Sequence, residues 1–404
     1  MIRMPGVWGE RGIVRSLSIS IRLKGVMYMI YVSKIRLGQL RPYRLLIVSC
    51  GFSLAACSTT DGTLVSASQN TSPYVAKAMG PAPAGQFDLS HWKLTLPVDD
   101  NGDGRADTIK VADLQSYVHP DFFHLDEQGH MVFTAPNKGG TTANSANTRS
   151  ELRYMMRGDN RKISTKGPLN NFALASHSNA AKFASIGGRM EATLHVDHVP
   201  LNSNKPHNKS SYAGVIGQIH GVRLKSAGDG FGYGNEPLKI FYKKWPEHET
   251  GSVYWNYDRN LSRGNSARTS ISYPVWGKLR TDSSDPGEKG IALGEDFSYV
   301  VNVYQDTMYL TFISPRLGRV EYQVNLTDNI NPNGQVDEKD NPIGYGQDAH
   351  YFKAGIYNSC RGTAKKNEST ARCDGTGDWA TDKSNGDYFQ VSFSRLNVTR
   401  PTPQ

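Results

Sequence analysis

The sequence predicts an all-β fold, built as a single sandwich or jelly roll of two antiparallel sheets. Many short segments alternate apolar and polar residues with a period of two, which is typical of half-buried strands. Gly, Pro, Asn and Asp separate these segments, and the 404-residue chain contains 40 Gly and 20 Pro. No long stretch has convincing helical periodicity, so layered sheets are the natural architecture.

We expect one folded domain over residues 85–400. It opens at Phe87–Leu89 and Trp92–Leu96, and it closes with Tyr388–Phe393 and Leu396–Val398. The strands predicted between these ends are Met131–Thr134, Arg189–Val196, Val215–His220, Leu238–Tyr242, Val253–Tyr257, Ser298–Tyr304, Met308–Phe312, Val320–Val324 and Tyr351–Tyr357.

Residues 1–57 are predicted to be an export signal. Basic residues precede the apolar run Leu45–Ala56, which is too short to span a bilayer as a helix. Leu-Ala-Ala-Cys at its end resembles a bacterial lipobox, which predicts lipidation of Cys57 and an outer-membrane, periplasmic or secreted protein. The alternative is a signal peptide that happens to contain a cysteine. Residues before Met27 or Met29 add nothing to this signal, which indicates a later start of translation.

Most of the positive charge belongs to this leader. It contains nine Lys or Arg and one acidic residue, whereas the net charge of the whole chain is +9, so the remainder is close to neutral. A global positive field for nucleic acid is therefore not expected. Residues 58–84 are rich in Ser, Thr, Ala, Pro and Gly and are predicted to be a flexible linker.

Cys360 and Cys373 are the only cysteines after the leader. An even pair in an exported protein predicts one disulfide, and two cysteines without a clustered His pair do not predict a metal site. The segment Asp99–Gly104 begins like a calcium loop but has Lys110 at the twelfth position. A polar turn is therefore favoured, with a weak calcium site as the alternative.

Three predicted strands place polar side chains on one face, because alternate residues of a strand point the same way. In the first strand Arg149, Glu151 and Arg153 share a face and Leu152 points into the core. A surface salt-bridge ladder explains this pattern equally well.

The other two strands carry an imidazole and two phenols. Gln218 and His220 share one face near the end of an apolar strand, although a lone His is weak evidence of function. Tyr351, Lys353 and Tyr357 share a face of the third strand. Tyr is an ordinary strand former, but this face lacks the Thr, Ser and Glu of an ordinary exposed face.

Together these faces supply the groups needed to remove a proton next to a carboxylate. In a uronate, an Arg and an amide would neutralise the carboxylate and stabilise the developing enolate-like charge. A neutral His would take the C5 proton, and a Tyr beside cations would protonate the leaving O4. This chemistry requires neither a metal nor a cofactor.

Three blocks of these strands, in this order, resemble the signature blocks of the alginate lyases of polysaccharide lyase family 7: Arg-Ser-Glu-Leu-Arg, Gln-Ile-His and Tyr-Phe-Lys-Ala-Gly-Ile-Tyr-Asn. The likeness covers residues 87–398 and includes Trp92–Pro97 and Leu238–Lys244. It implies a jelly roll whose concave sheet holds the polymer. It also implies β-elimination at the 1,4-bonds of alginate, which leaves a 4,5-unsaturated uronate at the new non-reducing end.

The resemblance implies roles for individual residues. Arg149 and Gln218 would neutralise the carboxylate, and His220 would be the base at C5. Tyr357 would be the acid, or also the base where the stereochemistry at C5 requires it. Further residues match positions that shape the cleft or contact substrate: Glu151, Arg153, Lys239, Lys243, Tyr351 and Lys353.

Two details concern specificity and loops. The Ile of Gln-Ile-His is associated in the family with guluronate-containing stretches, but Ile219 should face away from substrate. The third block commonly continues with Gln, whereas Ser359 follows here, so the adjacent loop should differ. Residues 202–212 and 360–373 are candidate lids.

Three other functions are alternatives to alginate cleavage. A lyase for another polyuronate such as glucuronan would share the same chemistry. A glycoside hydrolase would need a second carboxylate paired with Glu151, and a non-catalytic carbohydrate-binding module would show exposed aromatic platforms. We expect a monomer that acts on alginate, with a lipid anchor through Cys57 and no nucleic-acid partner.

Overall fold

The computed structural model describes residues 80–225, 227–228, 230–364 and 368–404 in full. The chain divides into two units, Met1–Pro73 and Tyr74–Gln404. The predicted leader and most of the predicted linker lie outside the fully described residues. Before residue 80 only the backbone of five short strands is described: Trp8–Gly9, Ile13–Val14, Leu17–Leu23, Val26–Val32 and Ile35–Arg36. Within the described residues, none of the helices has the length and apolar character needed to cross a membrane.

The second unit consists mainly of strands. In chain order they are β1 (Trp92–Thr95), β2 (Thr108–Ile109), β3 (Phe123–Leu125), β4 (Met131–Pro136), β5 (Arg149–Tyr154), β6 (Phe172–Ala173), β7 (Ser185–Ile186), β8 (Gly188–His198), β9 (Ala213–Gly221), β10 (Leu238–Lys243), β11 (Ser252–Asp258), β12 (Ser270–Trp276), β13 (Phe297–Tyr304), β14 (Thr307–Ser314), β15 (Gly318–Asn325), β16 (His350–Asn358) and β17 (Tyr388–Thr399). The helical elements are α1 (Val111–Leu114), α2 (Trp379–Asn385) and the 3-10 turns Pro83–Gly85, Pro168–Asn170, Ala180–Lys182 and Gly287–Lys289.

These strands form two sheets. The ten-stranded sheet has the order β12-β11-β10-β9-β16-β5-β1-β2, with the short β6 and β7 attached beside β16. The seven-stranded sheet has the order β15-β14-β13-β8-β17-β4-β3. Neighbouring strands are antiparallel except for β6 and β7. The predicted all-β sandwich of the jelly-roll class is confirmed.

One hydrophobic core lies between the sheets, and alternating residues of each strand supply it. Leu152, Ile219 and Phe352 enter it from the ten-stranded sheet, and Met190 and Val301 enter it from the other. All the strands predicted between the ends of the domain are present. The two closing segments form one strand, β17, because a bulge between its residues 393 and 395 interrupts the pairing with β8 without ending the strand.

Two local predictions concern loops. Cys360 and Cys373 are disulfide-bonded with their Cα atoms 5.4 Å apart, so the predicted disulfide is confirmed. In the segment that begins like a calcium loop, the two carboxylate oxygens of Asp99 accept hydrogen bonds from the amides of Asp103 and Gly104, each 2.9 Å long. This carboxylate is therefore engaged by the backbone of its own turn.

Candidate active site

Three adjacent strands in the middle of the ten-stranded sheet carry the predicted site. On β5 and β16, Arg149 lies opposite Tyr357 and Arg153 lies opposite Lys353. On β9, Gln218 also pairs with Lys353, and His220 pairs with Tyr351. Residues that are directly opposite in a sheet share a face, so the register brings the polar positions of all three sequence blocks together.

A bulge in β9 keeps Gln218 and His220 on this face. The pairing of β9 shifts between Val215 and Gly217, and Val215 faces the site side while Ile216 enters the core. A side chain at Gly217 would also point at the core, since its Cβ would lie 2.6 Å from the hydroxyl of Tyr299. Two successive core-facing positions reset the alternation, which places the next two polar side chains on the site side.

Glu151 is the centre of the site. Its side chain is only 2% exposed, yet it carries a carboxylate. One oxygen accepts a hydrogen bond from the side-chain amide of Gln218. The other accepts from the ammonium of Lys353 and from Arg149 Nη1, which is 3.2 Å away. One buried carboxylate thus fixes an amide and two cations in place, so the site strand is not a surface ladder.

Burial also changes the state of Lys353. Desolvation lowers the pKa of this lysine to about 8, although Glu151 opposes that shift, and the nearby Arg149 lowers the pKa further. The ammonium is therefore charged at neutral pH but loses its charge at mildly alkaline pH.

Tyr357 lies beside Arg149 at one end of the site. The guanidinium carbon of Arg149 is 4.5 Å from the centroid of the phenol ring. The Tyr357 hydroxyl is 3.1 Å from the hydroxyl of Ser145, a residue that lies outside the three sequence blocks. A cation and a hydroxyl therefore surround this phenol.

His220 lies beside Tyr351, with the two rings stacked at 5.1 Å and an interplanar angle of 10°. Its Nδ1 is 2.7 Å from the carbonyl oxygen of Gly221, and its Nε2 is 3.1 Å from a carboxylate oxygen of Glu236. The guanidinium of Arg153 lies 3.7 Å from the centroid of the Tyr351 ring. Contacts on both nitrogens and on the ring thus hold the imidazole.

The two lysines of β10 have protein partners. Lys239 Nζ is 2.6 Å from Asp258 and 3.5 Å from Glu236. Lys243 is 1% exposed, and its ammonium donates to the carbonyls of Asn208 and Arg280 at 3.2 and 3.0 Å. Burial lowers the pKa of Lys243 to about 7. Their assignment as substrate contacts stays a prediction.

The two candidate lids contact each other. The Ser203 hydroxyl donates to the carbonyl of Arg372 at 2.7 Å, and the backbone amide of Lys205 donates to the same oxygen at 3.1 Å. The disulfide anchors this second loop through Cys373, which forms an isolated bridge with Ser203.

The described residues contain three polar groups of the site that the sequence did not identify: Ser145, Glu236 and Asp258. Each lies outside the recognisable blocks and reaches the site through tertiary contacts. Among the described residues, no group of His, Cys, Asp and Glu is arranged to hold a metal ion. The assembled groups can neutralise a carboxylate and can place an imidazole and a phenol near it.

Known proteins similar to this chain share its sequence pattern and its fold. The family described as alginate lyase matches residues 87–400. An alginate lyase from Klebsiella pneumoniae is 33% identical over 334 residues, which is 80% of this chain and 93% of that protein. The crystal structure of an alginate lyase from the same organism aligns with a TM-score of 0.62, covering 80% of this chain and 100% of that one. An exolytic lyase of polysaccharide lyase family 7 from Zobellia galactanivorans is 30% identical, with a TM-score of 0.61 over 80% of this chain and 100% of that one.

Proposed function

Because this chain belongs to the alginate lyase family of polysaccharide lyase family 7, we propose that it cleaves the 1,4-glycosidic bonds of alginate by β-elimination. Membership of the family makes it a polysaccharide lyase that acts on alginate. The bond chemistry and the residue roles are the proposal. The observation that carries them is the buried carboxylate of Glu151, which gathers Arg149, Gln218 and Lys353 on one face.

Arg149 and Gln218 neutralise the carboxylate of the uronate. The C5 proton of a uronate is weakly acidic while the neighbouring carboxylate keeps its full negative charge. Fixed donors that contact this group stabilise the enolate-like charge as the proton leaves. Glu151 carries one negative charge against the two positive charges of Arg149 and Lys353, so the cluster retains positive charge for a uronate.

His220 and Tyr357 transfer the protons. His220 takes the C5 proton, the C5–H electron pair forms the C4=C5 double bond, and the bond from C4 to O4 breaks. Tyr357 donates its hydroxyl proton to O4. Arg149, which lies 4.5 Å from the ring centroid, stabilises the phenolate that remains. The product is a 4,5-unsaturated uronate at the new non-reducing end.

Hydrolysis by a pair of carboxylates is less well supported. A glycoside hydrolase needs one carboxylic acid that donates a proton and a second carboxylate on the other side of the bond. Glu151 accepts from three donors, two of them cationic, so both of its oxygens are already engaged within the protein. Glu236 contacts His220 and Lys239, which hold its pKa well below the usual range against the effect of burial.

The test is to incubate the protein with alginate and to follow ultraviolet absorbance and reducing ends in parallel. Elimination predicts that the absorbance of the conjugated uronate and the reducing ends increase in equal molar amounts. Reducing ends without absorbance would indicate a hydrolase, and binding with neither signal would indicate a carbohydrate-binding module. Faster product formation from glucuronan than from alginate would assign another polyuronate.

Export and lipidation at Cys57 are a separate proposal, supported by the lipobox-like sequence. The mass of the N-terminal peptide of the mature protein, purified from its native membrane fraction, would identify a lipidated Cys57. An unmodified N-terminus in the culture medium would contradict it.

A further inference from the structure

Glu236 is a carboxylate of the site that belongs to none of the three sequence blocks. Its Oε1 lies 3.1 Å from His220 Nε2, and its Oε2 lies 3.5 Å from Lys239 Nζ. The side chains of Glu236 and His220 are 19% and 24% exposed. A largely buried carboxylate therefore contacts the proposed base directly.

The contacts of the imidazole define where its protons lie. Nδ1 is 2.7 Å from the carbonyl oxygen of Gly221, and that oxygen can only accept, so Nδ1 carries a hydrogen. A bare Nε2 would then point its lone pair at the Glu236 carboxylate, whereas a protonated Nε2 donates to it. The two contacts therefore match the imidazolium that forms when His220 takes a proton, in which both nitrogens donate.

Glu236 is a stable source of negative charge. Burial alone would raise its pKa, but Lys239 and His220 outweigh that effect and hold the pKa well below the usual range. Lys239 is in turn held by Asp258, whose carboxylate is 2.6 Å from its ammonium. The carboxylate of Glu236 is thus ionised throughout the pH range in which imidazole titrates.

The backbone places Glu236 precisely beside β9. The amide of Gly221 donates to the carbonyl of Asn235 at 2.8 Å, and a Cβ at position 221 would lie 2.8 Å from that same oxygen. Because Gly221 has no side chain, the carbonyl of Asn235 can lie this close to β9. The amide of Asp258 donates to the carbonyl of Glu236 at 3.1 Å. Main-chain bonds to the residue after His220 and to β11 therefore fix this carboxylate.

We propose that Glu236 is a positioning residue for the reaction, which orients the His220 ring and stabilises the imidazolium that forms when His220 takes the C5 proton. The inference rests on the proposed function. His220 begins each turnover neutral, and on taking the C5 proton its Nε2 becomes a donor to Glu236; that proton then leaves to solvent before the next turnover. The carboxylate keeps its charge throughout and exchanges no atoms, so it acts through the imidazole alone.

Other charged and titratable groups surround the pair and are present in every Glu236 variant. They come from neighbouring strands and from the loops around them: Arg223, Lys239, Asp258, Arg263, Arg268, His350, Tyr351 and Tyr357. Glu236 also raises the pKa of Asp258 and that of Lys239, so a variant that keeps its charge is needed to assign a change to the contact with His220.

The test compares Glu236→Gln with Glu321→Gln, a control that removes an exposed carboxylate of the other sheet. The rate of absorbance increase with alginate is measured against pH. We expect the plateau kcat of Glu236→Gln to fall about tenfold, by analogy with carboxylates that orient metal-bound histidines, whose loss costs about 10–100-fold. We also expect the acid limb of kcat/KM to move to lower pH, because the variant lacks the negative charge that stabilises a protonated imidazole. KM should change little, and Glu321→Gln should match the wild type.

A second variant separates a folding defect from the proposed role. Glu236→Asp keeps the charge, so its acid limb should lie closer to that of the wild type than the limb of Glu236→Gln does. Unfolding midpoints of all variants are measured beside the kinetics. An acid limb and kcat of Glu236→Gln that coincide with the wild type would overturn the inference. Absence of any absorbance increase with the wild type would instead overturn the proposed function.

Discussion

The Arg-x-Glu spacing occurs on β5, β8 and β15, and β5 and β15 place it in very different surroundings. On β5, Arg149 and Glu151 are 3.2 Å apart, and the Glu is 2% exposed. On β15, Arg319 and Glu321 are 2.6 Å apart, and their side chains are 58% and 59% exposed. The first pair lies inside a ten-stranded sheet, whereas the second lies on the edge strand of the other sheet.

The neighbouring strands account for the difference. Glu151 receives Gln218 from β9 and Lys353 from β16, because β5 lies close to both strands. Glu321 has one further partner, the hydroxyl of Thr311 at 3.3 Å. The same local pattern thus gives a solvated ion pair in one place and a charged cluster in the other. Cross-strand partners, and not the spacing alone, determine the function of the motif.

The largest expected effect is the loss of the buried carboxylate. Glu151→Ala leaves Arg149 and Lys353 without their shared partner, and breaking a buried ion pair costs about 3–5 kcal/mol. Glu321→Ala should change the free energy of unfolding by about 0–1 kcal/mol, as is usual for exposed pairs. Urea unfolding measures both free energies. Equal decreases in the two variants would show that burial does not make the Glu151 pair more important for stability than the Glu321 pair.

The charged cluster around Glu151 depends on pH through Lys353. Its pKa is lowered to about 8 by burial, so activity that needs its charge is present below that pH and is lost as the pH rises through it. The free energy of unfolding changes in the opposite direction. It rises with pH between about 8 and the pKa of an unfolded lysine, because the unfolded chain binds more protons in that range.

Lys353→Arg keeps the charge at alkaline pH, since a guanidinium stays protonated. We expect its alkaline limb of kcat/KM, followed by absorbance with alginate, to move to higher pH relative to the wild type. Lys353→Met is the matched neutral variant, and its activity should be low on both sides of pH 8. An alkaline limb shared by the wild type and Lys353→Arg would show that another group titrates there.

A smaller effect is expected at Lys243, whose ammonium faces two carbonyls at the end of β10. Its pKa of about 7 lies below that of an unfolded lysine, so the wild type should gain stability relative to Lys243→Met as the pH rises above 7. We expect KM for alginate to stay close to that of the wild type. A large increase in KM without a change in the pH dependence of unfolding would instead make Lys243 a substrate contact.

Strand positions and faces were predictable from the sequence because their cause is local. Period-two alternation identified most of the long strands but missed β12 (Ser270–Trp276), and it correctly assigned Leu152, Ile219 and Phe352 to the core. The disulfide was predictable because Cys360 and Cys373 are the only cysteines after the predicted leader.

Other features depend on contacts that local patterns do not encode. The bulge in β9 depends on Tyr299, whose hydroxyl donates to the carbonyl of Ile216 from the opposite sheet at 3.1 Å. Glu236 can contact His220 because Gly221 has no side chain that would keep the neighbouring residue, Asn235, away from β9. The burial of Lys243 depends on carbonyls contributed by two separate loops. Each of these features requires knowledge of what packs against the strand.

The most direct test of the central claim is the rate of absorbance increase with alginate for Tyr357→Phe, measured beside Tyr309→Phe. Tyr309 lies on β14 of the other sheet, so its variant controls for loss of a strand phenol. We predict that kcat of Tyr357→Phe falls by about 10²–10⁴-fold, which is the range for removal of a general acid. Tyr309→Phe should keep the rate of the wild type. A Tyr357→Phe enzyme that cleaves alginate at the wild-type rate would contradict the role of Tyr357 as the general acid.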